Sequence, residues 1–212
     1  MNRSPLVDII LRPVIITIST LCFRMKVSNK KNCPKKGSLI LAGNHISNWD
    51  PPFIAAAVPR GVHFMAKSSL FKPGFWSWAM YKLGAFPINR RSSVNSGAIH
   101  TSIDLVNAGN AVIIFPEGTR SKDGKLLPAK AGVGYIANAT KAPVLPFCLT
   151  GMDTPKETLL FKSRFTVTFG KLIPAEILEE KHEIGGAQGV ADYIMEKVQE
   201  IKTKVEKERN KE

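Results

Sequence analysis

The sequence contains little cysteine, and its cysteines do not have the arrangement of a disulfide scaffold or a metal site. Cys22, Cys33 and Cys148 form no even set and lack the close spacing of metal ligands. This excludes a small disulfide-stabilised secreted protein. We therefore expect a reduced, intracellular protein with no bound metal.

The sequence also lacks a hydrophobic run long enough to cross a bilayer. The apolar stretch Leu6–Phe23 is interrupted by Asp8, Arg12 and Pro13, whereas a spanning helix needs about 20 apolar residues. No small-residue cleavage site follows it, which argues against a signal peptide. A basic cluster comes next, consisting of Arg24, Lys26, Lys30, Lys31, Lys35 and Lys36. This pattern is typical of a helix lying in the interface of an anionic membrane, although a buried helix with a solvated basic loop fits it too.

Acidic residues are scarce, since 17 Asp and Glu stand against 30 Lys and Arg, a net charge of +13. The excess indicates an anionic partner: a nucleic acid, a phosphate-bearing substrate, an acidic carrier or a membrane surface. The basic residues are scattered, and no zinc-knuckle, helix-turn-helix or RNA-binding signature is present. We therefore expect no nucleic-acid partner, and a non-catalytic basic module is the less favoured alternative.

The 212 residues contain no internal repeat or low-complexity linker, so one α/β domain is predicted. Short strand-like runs alternate with helical ones, which is typical of a mostly parallel (mixed) sheet covered by helices on both faces. The predicted strands are residues 38–43, 61–66, 85–89, 111–115, 144–149 and 165–169, and the predicted helices start at 51 or span 71–81, 96–108, 129–140 and the end from 189. We assign residues 1–37 to an N-terminal membrane-associating segment and 38–212 to the domain, which ends in an amphipathic helix. Pro87 places its strand at an edge or a strand end.

A histidine and an aspartate lie five positions apart in the segment Asn44–Asp50, directly after the first predicted strand. Histidine is largely neutral at pH 7 and can accept a proton, and a carboxylate on its other ring nitrogen fixes the tautomer. His45 and Asp50 therefore resemble two members of a catalytic triad, whose missing nucleophile the substrate could supply. Alternatively, Asp50 is the N-cap of a helix with Pro51 at its first position. The two roles are compatible.

A second polar group follows the predicted strand at 111–115, where residues 115–121 read Phe-Pro-Glu-Gly-Thr-Arg-Ser. Arg120 offers a planar fork suited to phosphate, Thr119 offers a hydroxyl, and Gly118 lets backbone N–H groups approach an anion. Glu117 would repel phosphate, so we expect it to orient Arg120 or another cation, or to accept a hydrogen bond from a substrate hydroxyl.

Two further cations, Lys67 and Arg90, come after other predicted strands. Ligands of such sheets collect at the carboxyl ends of the strands. Taken one by one, these cations are more often solvated charges, but together they predict a cationic pocket.

These motifs together resemble the glycerolipid acyltransferase family, in particular its bacterial members that acylate lysophosphatidic acid. The family's first motif, His-x4-Asp, is present at His45 and Asp50, and its second, a glycine followed six residues later by an arginine, at Gly84 and Arg90. The third is complete at 115–121, and the fourth, an apolar segment with an internal proline, matches 142–146. Four motifs in register over about residues 38–150 are far more specific than any one of them.

The resemblance implies transfer of an acyl chain from a thioester to the sn-2 hydroxyl of 1-acyl-sn-glycerol-3-phosphate, which gives phosphatidic acid. His45 would be the general base and Asp50 its partner. The residues that would hold the substrate phosphate are Arg90, Glu117, Gly118, Thr119 and Arg120, with Lys67 as a weaker candidate. No cofactor, metal or prosthetic group is implied, and acyl-CoA or acyl carrier protein would be the co-substrate.

The resemblance and the basic cluster also predict a location at the cytoplasmic face of the cell membrane, with peripheral contact or shallow insertion. Glycerol-3-phosphate or another lysolipid is the alternative acceptor. A hydrolase using Ser47 or Cys148 as nucleophile is less favoured, because the sequence has no Gly-x-Ser-x-Gly elbow.

Overall fold

The structure is a computed structural model, and it describes residues 5–88, 96–151 and 164–209. Within these ranges seven strands form one mixed sheet. The strands are β1 (Lys26–Ser28), β2 (Leu39–Gly43), β3 (Val62–Lys67), β4 (Ala85–Ile88), β5 (Ala111–Ile114), β6 (Val144–Thr150) and β7 (Thr166–Phe169). Their order across the sheet is β1-β7-β6-β2-β5-β3-β4.

The five strands from β6 to the edge strand β4 run parallel to one another. At the other edge β7 runs antiparallel to β6, and β1 runs parallel to β7. The predicted mostly parallel, mixed sheet is therefore confirmed. Strand β2 lies at its centre and is buried along its whole length, as expected for a strand covered on both faces.

Helices cover both faces of the sheet. They are α1 (Pro5–Phe23), α2 (Asp50–Ala57), α3 (Phe75–Lys82), α4 (Ser96–Asn107), α5 (Gly132–Thr140) and α6 (Ala175–Arg209). Successive side chains of a strand point to opposite faces, so Leu39 and Leu41 of β2 pack with α2. Ile40 and Ala42 pack on the opposite face with α4, α5 and α6. The sheet thus separates two apolar cores.

Helix α6 is two helical stretches in succession, because the backbone of Gly186 (φ 60°, ψ −158°) is not helical. The sequence predicts only the second stretch, from residue 189. The first stretch was missed because only one of its side chains, Leu178, is buried, which leaves little apolar periodicity to detect.

The predicted strands agree with the observed ones to within one or two residues at most ends. Strand β4, which contains Pro87, lies at the edge of the sheet as predicted. Strand β1 was not predicted, since it has three residues and lies within the basic cluster. Lys26 is therefore part of the same sheet as the rest of the domain, paired with Thr166.

The N-terminal apolar segment forms α1, which packs against α2 and contains Pro13 within its length. Among the described residues, no helix has both the length and the apolar character needed to cross a bilayer.

Candidate active site

The loops after three adjacent parallel strands meet at the carboxyl ends of these strands. Strand β2 lies beside β5, and β5 lies beside β3. The loop after β2 carries His45, the loop after β5 carries residues 115–121, and β3 ends at Lys67. The fold therefore places three of the segments that the sequence singles out at the same end of the sheet.

His45 and Asp50 form a direct, buried hydrogen bond. The Nδ1 atom of His45 lies 2.8 Å from Oδ2 of Asp50, and the two side chains are 11% and 0% exposed. The same oxygen accepts the backbone N–H groups of Ile46 at 2.7 Å and Ser47 at 2.8 Å. Because the carboxylate accepts at Nδ1, the histidine tautomer with hydrogen on Nδ1 leaves Nε2 able to accept a proton from a substrate.

The helix-cap interpretation of Asp50 needs a correction. Helix α2 begins at Asp50 itself, and Trp49 occupies the N-cap without a side-chain hydrogen bond. The Asp50 carboxylate bonds backward to the His45 loop through Oδ2, while Oδ1 is buried without a hydrogen-bond partner in the described part of the chain. Asp50 therefore organises the loop at residues 44–49, which we call the His45 loop, and does not cap the helix.

The backbone of His45 is held from both sides by the segment 115–121. Its N–H donates to Oε1 of Glu117 at 3.2 Å, and its carbonyl accepts the N–H of Ser121 at 2.8 Å. The ring of Phe115 stacks on the imidazole, with centroids 4.1 Å apart and planes 17° apart. Sequence reasoning assigned Phe115 no role, although it is the first residue of the third motif.

Asn44 ties the same loop to the other side of β2. Its side chain donates to the carbonyl of Leu149 at 2.9 Å and accepts the N–H of Leu149 at 2.7 Å. Both Asn44 and Leu149 are buried. The His45 loop is therefore fixed to β6 on one side of β2 and to the loop after β5 on the other.

Glu117 is buried against the backbone of the His45 loop, and only 2% of its surface is exposed. Burial raises the pKa of its carboxyl group to about 7, against the opposing effects of the hydrogen bond from His45 and the charge of Lys202. Its Oε2 has no hydrogen-bond partner within the described residues. A buried carboxyl group in contact with the backbone of His45 suits a residue that orients the His45 loop. A phosphate ligand would be expected in a more open position.

Gly118, Thr119 and Arg120 are exposed beyond Glu117. Gly118 has a positive φ of 68°, a conformation that favours glycine. Lys130 was missed by sequence reasoning: its ammonium group would lie 3.0 Å from a Cβ atom placed on Gly118. It adds a cation beside this loop, and nothing in its sequence context distinguishes it from a solvated lysine.

Lys67 is exposed at the end of β3, two strands from β2. Arg90 lies outside the described residues, so its part in the pocket stays a prediction. Gly84, its partner in the second motif, has a φ of 90°, and a Cβ atom there would collide with the carbonyl of Val62. The second motif thus has a structural reason for its glycine, which lets β4 approach β3.

The two side chains considered as internal nucleophiles are poorly placed for that role. Cys148 is 1% exposed within β6. Ser47 is 7% exposed, and its Oγ accepts the N–H of Trp49 at 3.2 Å. In the described part of the chain, no group of three or more His, Cys, Asp or Glu side chains is arranged to hold a metal ion.

The protein-family model described as Acyltransferase matches residues 24–150, which include the His45 loop, the loop at 115–121 and all strands from β1 to β6. The chain belongs to this acyltransferase family.

Similar proteins include two curated bacterial enzymes, both named 1-acyl-sn-glycerol-3-phosphate acyltransferase. The one from Bacillus subtilis is 36% identical over 140 residues, which cover 65% of this chain and 67% of that protein. The one from Streptococcus pneumoniae is 30% identical over 163 residues, covering 76% and 60%. Among solved structures, the 1-acyl-sn-glycerophosphate (LPA) acyltransferase PlsC from Thermotoga maritima matches with a TM-score of 0.69 and 26% identity, over 91% of this chain and 80% of that one.

Proposed function

We propose that the protein transfers an acyl chain from a thioester to the sn-2 hydroxyl of 1-acyl-sn-glycerol-3-phosphate and so makes phosphatidic acid for phospholipid synthesis. The observation that carries the proposal is the buried 2.8 Å bond between His45 and Asp50, next to a loop that exposes Arg120 and Thr119. The relatives from Bacillus subtilis and Streptococcus pneumoniae carry this activity in their names, which supports the choice of acceptor.

In the proposed reaction the acceptor brings the nucleophile. Nε2 of His45 takes the proton of the sn-2 hydroxyl as its oxygen attacks the thioester carbonyl, a step that typically contributes about 10²–10⁴-fold. Asp50 stabilises the imidazolium that forms and holds the ring in place. The tetrahedral intermediate then expels the thiolate, which leaves without strong acid help because the pKa of its thiol is about 8.5. The proton held by His45 passes to the thiolate, which restores the neutral imidazole.

The acceptor phosphate would bind at the exposed loop after β5. The backbone N–H groups around Gly118 and the side chains of Thr119 and Arg120 suit an anion, and the charges of Lys67 and Lys130 add to the field there. Arg90 is proposed as a further ligand on the strength of the second motif. Glu117 would act indirectly, by holding the backbone of His45.

The proposed reaction needs no metal or prosthetic group, since the thioester itself is the activated donor. Acyl-CoA and acyl carrier protein both fit the net charge of +13.

Membrane contact is proposed through α1. Its residues Val14, Ile18 and Leu21 are 49%, 46% and 65% exposed, and the exposed basic residues Arg24, Lys30 and Lys31 follow it in the chain. Exposed apolar side chains beside clustered cations suit the interface of an anionic membrane. The proposed location is the cytoplasmic face of the cell membrane, where the thioester donor is made available.

The purified chain tests the proposal when it is incubated with acyl-CoA or acyl carrier protein as donor and with lysophosphatidic acid, glycerol-3-phosphate or lysophosphatidylcholine as acceptor. Mass spectrometry of the lipid products should show phosphatidic acid as the main product. A preference for glycerol-3-phosphate would move the chain to the alternative acceptor, and free fatty acid with every acceptor would replace the proposal with a hydrolase.

A further inference from the structure

A polar groove lies between the carboxyl end of β6 and the last turns of α6, and residues 123–125, just after the third motif, belong to its lining. It consists of two cavities of about 250 and 270 Å³ that share Thr150, Val205 and Arg209. We call it the cationic groove. Its basic lining residues are Arg24, Lys26, Lys125, Arg164, Lys202 and Arg209, and its acidic ones are Asp123, Glu206 and Glu208. The excess of cations predicts a preference for anionic ligands.

The floor of the cationic groove is a row of polar side chains on one face of the sheet. Thr150 of β6 pairs with Thr166 of β7, which pairs with Lys26 of β1. Side chains in register on neighbouring strands point to the same face, so these three lie side by side. Ser28 and Thr168 form a second such pair and also line the groove. Hydroxyl groups beside a lysine are suitable donors to phosphate oxygens.

The last turns of α6 form the opposite wall. Lys202 donates a hydrogen bond to the carbonyl of Gly124, in the chain that continues from the third motif. Two of the three carboxylates face lysines already in the groove: Glu206 is 3.7 Å from Lys202, and Asp123 is 3.8 Å from Lys125. The part formed by Lys26 and Arg164 thus offers exposed cations away from these pairs.

Backbone contacts fix the mouth of the groove. The N–H of Lys26 donates to the carbonyl of Phe165, and the N–H of Phe165 donates to the carbonyl of Phe23. Gly151 packs so closely on Arg164 that a Cβ atom would collide with the Arg164 carbonyl. The basic residues at 24–26 and at 164 are therefore brought together by the fold, although they are far apart in the sequence.

The strand residues that line the groove all belong to β6, β7 and β1, whereas the phosphate loop follows β5; residues 123–125, just after that loop, also line the groove. In the sheet order, β6, β7 and β1 lie on one side of β2, and β5 and β3 lie on the other. Strands are about 4.8 Å apart, so β1 is about 14 Å from β2, within reach of a long flexible arm. Leu149, which lines the groove, is hydrogen-bonded to Asn44 beside His45.

We propose that the cationic groove binds the phosphate of the acyl donor, namely the 4′-phosphate of the pantetheine arm that coenzyme A and acyl carrier protein share. The inference rests on the proposed acyl transfer and deepens it. Two substrates that each carry a phosphate need two separate places for phosphate within reach of the base. The loop after β5 is the place for the acceptor, and the groove is the place for the donor. An anionic lipid headgroup offers the same phosphate chemistry, so the test separates the two sources.

The test compares the wild-type chain with the double variant Lys26→Gln/Arg164→Gln. Lys171→Gln is the matched control, since Lys171 is exposed after the opposite end of β7. The KM for acyl-CoA should rise about three- to tenfold in the double variant, which loses two exposed charge interactions. Its kcat and its KM for lysophosphatidic acid should stay within about twofold of wild type, and the control should match wild type.

A pair of soluble probes isolates the phosphate. In the wild type, 4′-phosphopantetheine should inhibit acyl transfer more strongly than pantetheine, and the double variant should lose this difference. Sedimentation with phosphatidylglycerol and phosphatidylcholine vesicles is measured in parallel. If vesicle binding falls while the donor KM and the probe difference are unchanged, the groove binds lipid headgroups and the proposal is wrong. If nothing changes, the groove binds neither.

Calorimetry with the same two probes separates this inference from the proposed function. Tighter binding of 4′-phosphopantetheine than of pantetheine by a chain that acylates no acceptor would support the groove and contradict the proposed reaction. If the chain acylates lysophosphatidic acid but the double substitution leaves the KM for the donor unchanged, the result would support the proposed reaction and contradict the groove.

Discussion

The loop that contains His45 and the loop that contains Arg120 lie at the same end of the sheet, but the first is buried and hydrogen-bonded whereas the second is exposed. Around His45, Asp50 is fully buried and accepts three N–H groups on one oxygen. Gly118, Thr119 and Arg120 are exposed. The His45–Asp50 pair is thus held in place by the folded chain itself, whereas the proposed phosphate ligands face solvent. Substitutions in the first loop should therefore affect kcat, and substitutions in the second should affect KM.

The largest effect is expected for His45→Ala. Loss of the general base should lower kcat by about 10²–10⁴-fold with little change in the KM for lysophosphatidic acid. His100→Ala, at an exposed histidine of α4, is the control and should keep wild-type kinetics. Near-full activity of His45→Ala would mean that another group removes the proton.

Asp50→Asn should have the next largest effect, lowering kcat by about 10²-fold. The amide lacks the charge that stabilises the imidazolium, but the base remains. The substitution should also lower the free energy of unfolding by about 1–3 kcal/mol, because a fully buried hydrogen-bonded group is disturbed. Steady-state kinetics and thermal unfolding measure the two effects, with Asp104→Asn, at an exposed aspartate of α4, as the control. An effect on KM alone would place Asp50 outside the catalytic machinery.

Arg120→Ala should raise the KM for lysophosphatidic acid about tenfold, equivalent to about 1.4 kcal/mol of lost binding, with kcat within about twofold of wild type. Arg120→Lys should restore only part of the affinity, because a lysine lacks the planar fork. The neighbouring exposed Lys122→Ala controls for a general loss of positive charge. An unchanged KM in Arg120→Ala would remove this residue from the phosphate site.

The last prediction concerns Glu117 and the pH dependence of stability rather than the kinetics. Its folded-state pKa of about 7 lies above the ordinary value of 4.5, so the folded protein binds a proton that the unfolded chain has lost between these pH values. The free energy of unfolding should therefore fall as pH rises from about 4.5 to 7, by up to about 3 kcal/mol from this group.

Glu117→Gln lacks this titration and isolates it. Its stability relative to wild type should increase as pH rises from 5 to 8, as measured by urea unfolding at each pH. A constant difference across that range would mean that the carboxyl group has an ordinary pKa.

The elements that could be predicted from the sequence are those whose signal is local. Strands such as β2 and β5 are continuous apolar runs of four or five residues, and the five-residue spacing of His45 and Asp50 lets them meet within one loop. Strand β1 gave no such signal, because its place depends on pairing Lys26 with Thr166, far along the chain.

The hydrogen bonds that hold the His45 loop could not be predicted either, because they also join residues that are far apart in the chain. The bond from the His45 N–H to Glu117 joins residues 72 positions apart, and only the sheet order makes them neighbours. The sequence predicted that Glu117 orients a cation or accepts a hydrogen bond from a substrate hydroxyl. In the structure its Oε1 accepts the backbone N–H of His45, a partner that the sequence did not suggest.

The central claim is that the acceptor hydroxyl, and no group of the protein, attacks the thioester. Intact-protein mass spectrometry after incubation with acyl-CoA alone tests it most directly, with free thiol measured in the same sample. We predict an unchanged protein mass, and thiol release that begins only when lysophosphatidic acid is added. A protein mass raised by one acyl chain before any acceptor is present would contradict direct transfer.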